Sequence, residues 1–222
     1  ISWDLAHGGS RIEALALPNK VRVLWNRGLI DDAAELEEHL ISLAHDMLDV
    51  QVLIPALPIA ALIRGSLGDT RTASAYIEEW TAGTDDKPAW RARYLPEIVR
   101  FLCGTDRRSL AERSMIKETE VSMLRDRHSA FASSAVLLEA QGHLEDAASG
   151  YMEAATRWRT YGFVLEEGHA LLGAGRTLLT LGDADNASES LRSAKAIFSR
   201  LGAEPLRREV DRHLRSDIAL NS

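Results

Sequence analysis

The chain has 222 residues, of which 45% are hydrophobic and 27% charged, and its formal net charge is −7. Those proportions supply both a core and a solvating surface, as in ordinary globular chains. Basic residues cluster no further than Arg107–Arg108 and Arg207–Arg208, each with acids nearby, which argues against direct contact with nucleic acid or an anionic membrane surface.

Ala and Leu dominate while Val, Ile, Tyr and Thr are comparatively thin, a balance that favours helix over strand. A spaced signature organises the helices. A Gly is followed five residues later by Ala or Ser at Gly28/Ala33, Gly68/Ala73, Gly104/Ser109, Gly142/Ala147 and Gly182/Ala187, at intervals of 40, 36, 38 and 40 residues. Gly ends a helix in the left-handed conformation without a Cβ penalty. The small residue that follows lets the next helix pack back closely. The spacing predicts helical hairpins over 12–47, 52–82, 89–125, 128–161 and 166–201, and a closing helix over 204–216. Together they form one all-α domain over 1–222, an α-α superhelix.

In chain order, the first hairpin carries the acidic run "DDAAELEEH" (31–39), which reads as a solvated helix face. The chain opens on Ile1 rather than Met, which suggests a piece of a longer protein. The second hairpin holds the apolar run "VLIPALPIAALI" (52–63). It falls short of the roughly 20 residues needed to cross a bilayer. Its Pro55 and Pro58 suit a first helical turn. "TAGTDDKP" (81–88) is the clearest loop.

The third hairpin contains "AWRARYLPEIVRF" (89–101), where Trp90, Arg93, Tyr94, Glu97 and Arg100 recur at three and four. Glu97 stands where the repeat expects a small residue. A face of Arg and aromatic side chains suits a carboxylate or a peptide. The plainer alternative is packed aromatics with solvated arginines. Cys103 is the single cysteine, so an internal disulfide and a Cys-based metal site are both excluded. This fits a reducing, cytoplasmic setting. Its apolar neighbours make it a small buried hydrophobe.

Registered on the glycines, Ala61, Ala135 and Gly175 stand seven before, Ile77, Tyr151 and Leu191 nine after, and Ala154 and Ala194 twelve after, with Trp80 in that last position in the second hairpin. These spacings mark one helix face. Trp25, Trp80 and Trp158 read as packing residues between hairpins. "GAGR" (173–176) puts Gly175 at the small position, which favours close helix packing over a phosphate loop. "EEGH" places Glu166 and His169 on one helix face, a metal-binding spacing only when doubled, and it is not doubled. The sequence contains no H-E-x-x-H, G-x-S-x-G or G-x-x-x-x-G-K-[ST], so no catalytic residue, metal or cofactor is assigned.

Small-x-x-Leu, Gly, Ala five later, then a large apolar residue and Ala, resembles the tetratricopeptide (TPR) repeat, at a spacing longer than that family's roughly 34 residues. The segment 157–205, with "WRTYG", "LLGAGRTLLTLG" and "IFSRLGAEP", resembles the C-terminal region of bacterial multidomain signalling ATPases, those linked to class III adenylate or guanylate cyclases or regulators of the LuxR and MalT type. The resemblance implies a non-enzymatic sensor or scaffold arm. It would hold a protein, a peptide or a small effector in a concave groove lined by first helices, beside the NTPase and output domains of a parent chain. Self-association, as in a homodimer, and a helical enzyme with an unrecognised site are the alternatives.

Overall fold

The computed structural model describes residues 2–47 and 49–220, with side chains described within 11–47 and 49–215. No strand occurs among the described residues, and the fold is all-α as expected. The helices gather into two compact units, Ile1–Tyr94 and Leu95–Ser222.

The first unit comprises α1 (Ser2–Arg27), α2 (Ile30–Met47), α3 (Val50–Ser66), α4 (Thr70–Gly83) and α5 (Pro88–Ala92). Its first hairpin turns at Gly28, with φ 81°, after a helix that begins at Ser2 rather than near residue 12. Ala33 follows in the first turn of α2, where its amide donates to the Leu29 carbonyl at 3.1 Å. Its side chain is fully buried, so Ala33 serves packing and offers no surface to a ligand.

Helix α3 packs against α1, α2 and α4 and is apolar nearly all round, as a central helix must be. It starts at Val50, capped by the Asp49 carboxylate, which accepts from the Gln51 amide at 2.9 Å. Pro55 and Pro58 therefore lie inside the helix rather than in its first turn. An interior proline costs about 3 kcal/mol. Here Val52, Ile54, Leu57, Ile59, Leu62 and Ile63 are all buried. At about 1.5–3 kcal/mol per buried aliphatic side chain, packing outweighs both prolines. The second hairpin turns at Gly68, with φ 85°. Asp69 caps α4 as Asp49 caps α3, and Ala73, Ile77 and Trp80 turn inward at helical spacing.

The acidic face expected at 31–39 needs one correction. Glu37 is only 1% exposed and forms an ion pair with Arg64 of α3, a partner that local spacing does not reveal. The Tyr76 hydroxyl of α4 belongs to the same group, its pKa raised by burial and by Glu37.

The second unit comprises α6 (Leu95–Gly104), α7 (Arg108–Ser114), a single 3-10 turn (Glu118–Glu120), α8 (Leu124–Gln141), α9 (Leu144–Tyr161), α10 (Val164–Leu181), α11 (Ala184–Leu201) and α12 (Glu204–Leu220). Helices α8 to α11 are each 18 residues long. Each ends on a left-handed glycine, namely Gly142, Gly162, Gly182 and Gly202 with φ between 66° and 86°. The residue after each glycine donates to the carbonyl five back, as in His143→Leu138 and Asp183→Leu178, both at 3.0 Å. This is the Schellman closure.

The structural step is thus 20 residues, half the interval visible in the sequence. Gly162 and Gly202 escape a search keyed on a small residue five later, because Glu167 and Arg207 stand there. Ala147 and Ala187 are fully buried, and a Cβ on Gly175 would lie 2.5 Å from Leu191 Cγ. The glycines of "GAGR" therefore serve close packing. Trp158 and Phe198, both inaccessible to solvent, anchor the core across α9 to α12.

The third hairpin departs from expectation twice. Gly104 is the last helical residue of α6 and has no positive φ; Asp106, at φ 60°, makes the turn instead. The second helix of the hairpin expected over 89–125 stops at Ser114. Met115, Lys117, Val121 and Met123 are extended, interrupted by the 3-10 turn. Ile116 and Val121 are buried from this strap, which is how a β-branched stretch covers a core without a helix.

Candidate functional site

The boundary between the two units falls between Tyr94 and Leu95, inside the stretch singled out by sequence. In the first unit, Trp90 of α5 is half-exposed, Arg93 is exposed and Tyr94 is buried. The Arg93 guanidinium sits 5.7 Å from the Tyr94 ring centroid, an intrachain cation–π contact. The neighbouring Arg91, which no sequence pattern distinguishes, is buried. It donates to Thr84 Oγ1 at 3.0 Å and to the Thr81 carbonyl at 2.7 Å, closing the turn between α4 and α5.

In the second unit, Glu97 is buried on α6, and Arg100 grips Glu166 of α10 through two 2.8 Å bonds. Burial works against the Arg100 charge, but the facing carboxylate outweighs it and holds the guanidinium pKa above its ordinary value. Glu166 is thereby committed to Arg100. Its helix neighbour His169 lies edge-on to Phe198. No group of three or more His, Cys, Asp or Glu with metal-binding geometry occurs among the described residues.

A second network ties α8, α9, α10 and α12 together. Arg176 of α10 donates to both oxygens of Glu139 of α8, at 2.6 and 2.7 Å. The Tyr151 hydroxyl of α9 donates to Glu139 at 2.6 Å, and Glu209 of α12 accepts from Arg176 at 3.5 Å. Burial pushes the Glu139 carboxyl up, but its bonds from Arg176 and Tyr151 prevail and hold its pKa below the usual range. Burial beside Glu139 drives the Tyr151 phenol well above its ordinary value. These groups clamp α8 to α9 and α10, and α10 to α12, rather than present reactive charge. Burial likewise pushes the Cys103 thiol up to about 11, so it is not a poised nucleophile.

The second unit also holds an open cleft of about 540 Å3 between the 115–120 strap and α8. Ile116 and Ala130 at its floor are buried, while Met115 and Leu137 are half-buried. Glu112, Glu118 and Glu120 stand around it with Lys117. The strap is pinned by Arg157 of α9, which bonds Glu118 at 3.0 Å and lies 3.7 Å from the Phe131 ring centroid. The Glu120 carboxylate accepts from the Lys117 amide at 2.8 Å and fixes the turn. No periodic signal marks this cleft, because it exists where periodicity stops.

No protein-family model matches the chain, and no curated protein matches it. Among solved structures, the chain is similar to a crystal structure of a Podosopora anserina protein described as a kinesin light chain with nearly identical TPR-like repeats. The likeness has a TM-score of 0.51 at 16% identity and covers 86% of this chain and 96% of that one. Two readings made from the sequence, the all-α class and the TPR-like repeat, rest on this fold likeness together with the helix order.

Proposed function

We propose that the chain is a non-catalytic, TPR-like module that binds a protein partner. The observation that carries this is the second unit's construction. Eighteen-residue helices packed mainly on their neighbours in sequence spread continuous side-chain surface over several elements, and the interior charges are spent on clamping helices together. TPR-like arrays of this build present surfaces rather than enclosed reaction sites. In the parent protein the module acts as the sensor or scaffold arm of a bacterial signal-transduction or transcriptional regulator, as the resemblance of 157–205 suggests. Binding would favour one arrangement of a multidomain chain over another. The face around Trp90 and Arg93 remains a proposed contact for a peptide or small effector.

The test is selection of a random peptide library on the folded chain, with the urea-unfolded chain as counter-selection. A recurring family of sequences is the expected result. Enrichment no greater than on the unfolded chain would overturn the proposal.

Self-association is a second reading, favoured by Ile12, Leu15 and Val23 of α1, which are 72%, 41% and 51% exposed. It predicts a dimer by light scattering that Ile12→Lys dissociates.

A further inference from the structure

We infer that the cleft between the 115–120 strap and α8 is the docking site for a short basic segment of a partner protein, carrying one or two large apolar side chains. The inference rests on the partner-binding function proposed above and names its site and chemistry.

Where the repeat runs regularly, small residues bring helices into contact. A Cβ on Gly150 of α9, for example, would lie 3.1 Å from Ala135 Cβ of α8. Between α7 and α8 that build is interrupted. The chain runs as a strap, held at Glu118 by Arg157 and turned at Glu120, and space remains beside it. That space, about 540 Å3, lies within the roughly 300–1,000 Å3 of ordinary ligand sites.

Its lining has two parts with different demands. Ile116, Ala130, Met115 and Leu137 offer an apolar floor, and the unbranched Met115 side chain can adapt to the group that enters. A large aliphatic or aromatic side chain is the complement. Three carboxylates face one lysine around that floor. Glu118 is answered by Arg157, whereas Glu112 accepts only the amide of Gln141, at 3.2 Å, and Glu120 bonds backbone. Neither Glu112 nor Glu120 has a side-chain cation at ion-pair distance among the described residues. Arg or Lys beside the anchoring side chain supplies those partners. A basic segment is also drawn by the field of a chain whose net charge is −7.

The probe is a short fluorescein-labelled peptide alternating Arg and Leu, followed by fluorescence anisotropy on the full chain. One control peptide has Glu for every Arg, and another has Ser for every Leu. Saturable binding of the Arg/Leu peptide alone is expected. Glu112→Lys, at an exposed position, should weaken it about tenfold, equivalent to about 1.4 kcal/mol. Ser134→Arg should abolish it by placing a cation over the floor. Ser134 is exposed and bonds only its own helix, so circular dichroism should report an unchanged fold.

Equal binding of the Arg/Ser peptide would reduce the effect to general electrostatics and overturn the inference. So would affinity unchanged by both substitutions, or no binding of the Arg/Leu peptide at all. Peptides recovered by library selection whose binding ignores Ser134→Arg would sink the cleft while sparing the partner-binding function. A failed selection alone would sink the latter.

Discussion

Two glycines of the same apparent motif should respond oppositely to alanine. Gly142 closes α8 at φ 84°, and Gly104 ends α6 without a positive φ; a Cβ added at either would meet nothing within 4 Å. Sterics between residues therefore cancel, and only backbone conformation separates the two sites. Holding Ala in the left-handed region costs about 1–2 kcal/mol. Replacing Gly by Ala also removes freedom from the unfolded chain, worth about 0.4–1 kcal/mol wherever the native φ is compatible. Gly142→Ala should thus lose about 1 kcal/mol net, while Gly104→Ala should gain about 0.4–1 kcal/mol. For a chain of this length each kcal/mol moves Tm by about 2–4 °C. Urea titrations followed by circular dichroism at 222 nm would resolve a gap of that size, and both sites lie in the second unit, so they perturb the same unfolding event. Destabilisation by Gly104→Ala equal to that by Gly142→Ala would refute the placement of the left-handed residue at Asp106.

Three further outcomes follow from packing and charge. Gly173→Ala puts a Cβ 2.5 Å from the ring of Tyr151, a buried residue whose hydroxyl is tied to Glu139, and should cost about 1–3 kcal/mol in the same titration, against the gain normal for Ala in a helix. Arg100→Ala removes the bidentate cation from a Glu166 side chain only 4% exposed and should lose about 3–5 kcal/mol, most of it restored by also making Glu166→Leu; additive losses in that double-mutant cycle would contradict the pairing. His128 has its pKa held below the ordinary 6.5 by burial and then by Arg157 and Arg127, against the pull of Glu118 and Glu153. The unfolded state then takes up the proton first, so stability is intact above the ordinary value and falls as pH drops below it. The urea midpoint should decline from about pH 7 to about pH 5, with a shallower decline in His128→Phe; an identical slope in that variant would remove His128 as the cause.

The hairpins were legible because their causes are local. A left-handed glycine and a small residue five positions on are dictated by the turn and by the first contact of the next helix, and both lie within one sequence window. Gly28 with Ala33 shows the rule holding even in the first hairpin, where the other repeat positions fit poorly. Gly162 and Gly202 obey the same turn chemistry but are followed by Glu167 and Arg207, so a pattern that demanded a small residue saw alternate turns and doubled the period. Arg100 looked like a groove residue because its helix face carries aromatics nearby. Its partner Glu166 lies 66 positions away, and no spacing rule connects them. Glu37 was hidden in an acidic run for the same reason, its partner Arg64 being supplied by the next helix. Local physics therefore announces turns and faces, whereas the fate of each charge is decided by whichever helix packs opposite.

The length of the step explains why the break matters. At about 3.6 residues per turn, an 18-residue helix makes about five whole turns, so it enters and leaves on the same side. Each two-residue Schellman link then returns the chain antiparallel in unchanged register, and the contact of α9 with α10 resembles that of α10 with α11. Such an array closes its own seams at every step. The only way to open a seam without losing the core is to withhold a helix and cover the exposed apolar residues by another route. Residues 115–123 do this: Ile116 and Val121 reach the core from extended backbone, while Arg157 and the Glu120 cap hold the backbone in place. A poorly formed repeat would leave its strap loose. Here the strap is pinned at both Glu118 and Glu120, and the space beside it is lined by apolar side chains under an acidic rim. The irregular stretch is therefore held in place by its own contacts, and it is where this chain departs from a plain stack of hairpins.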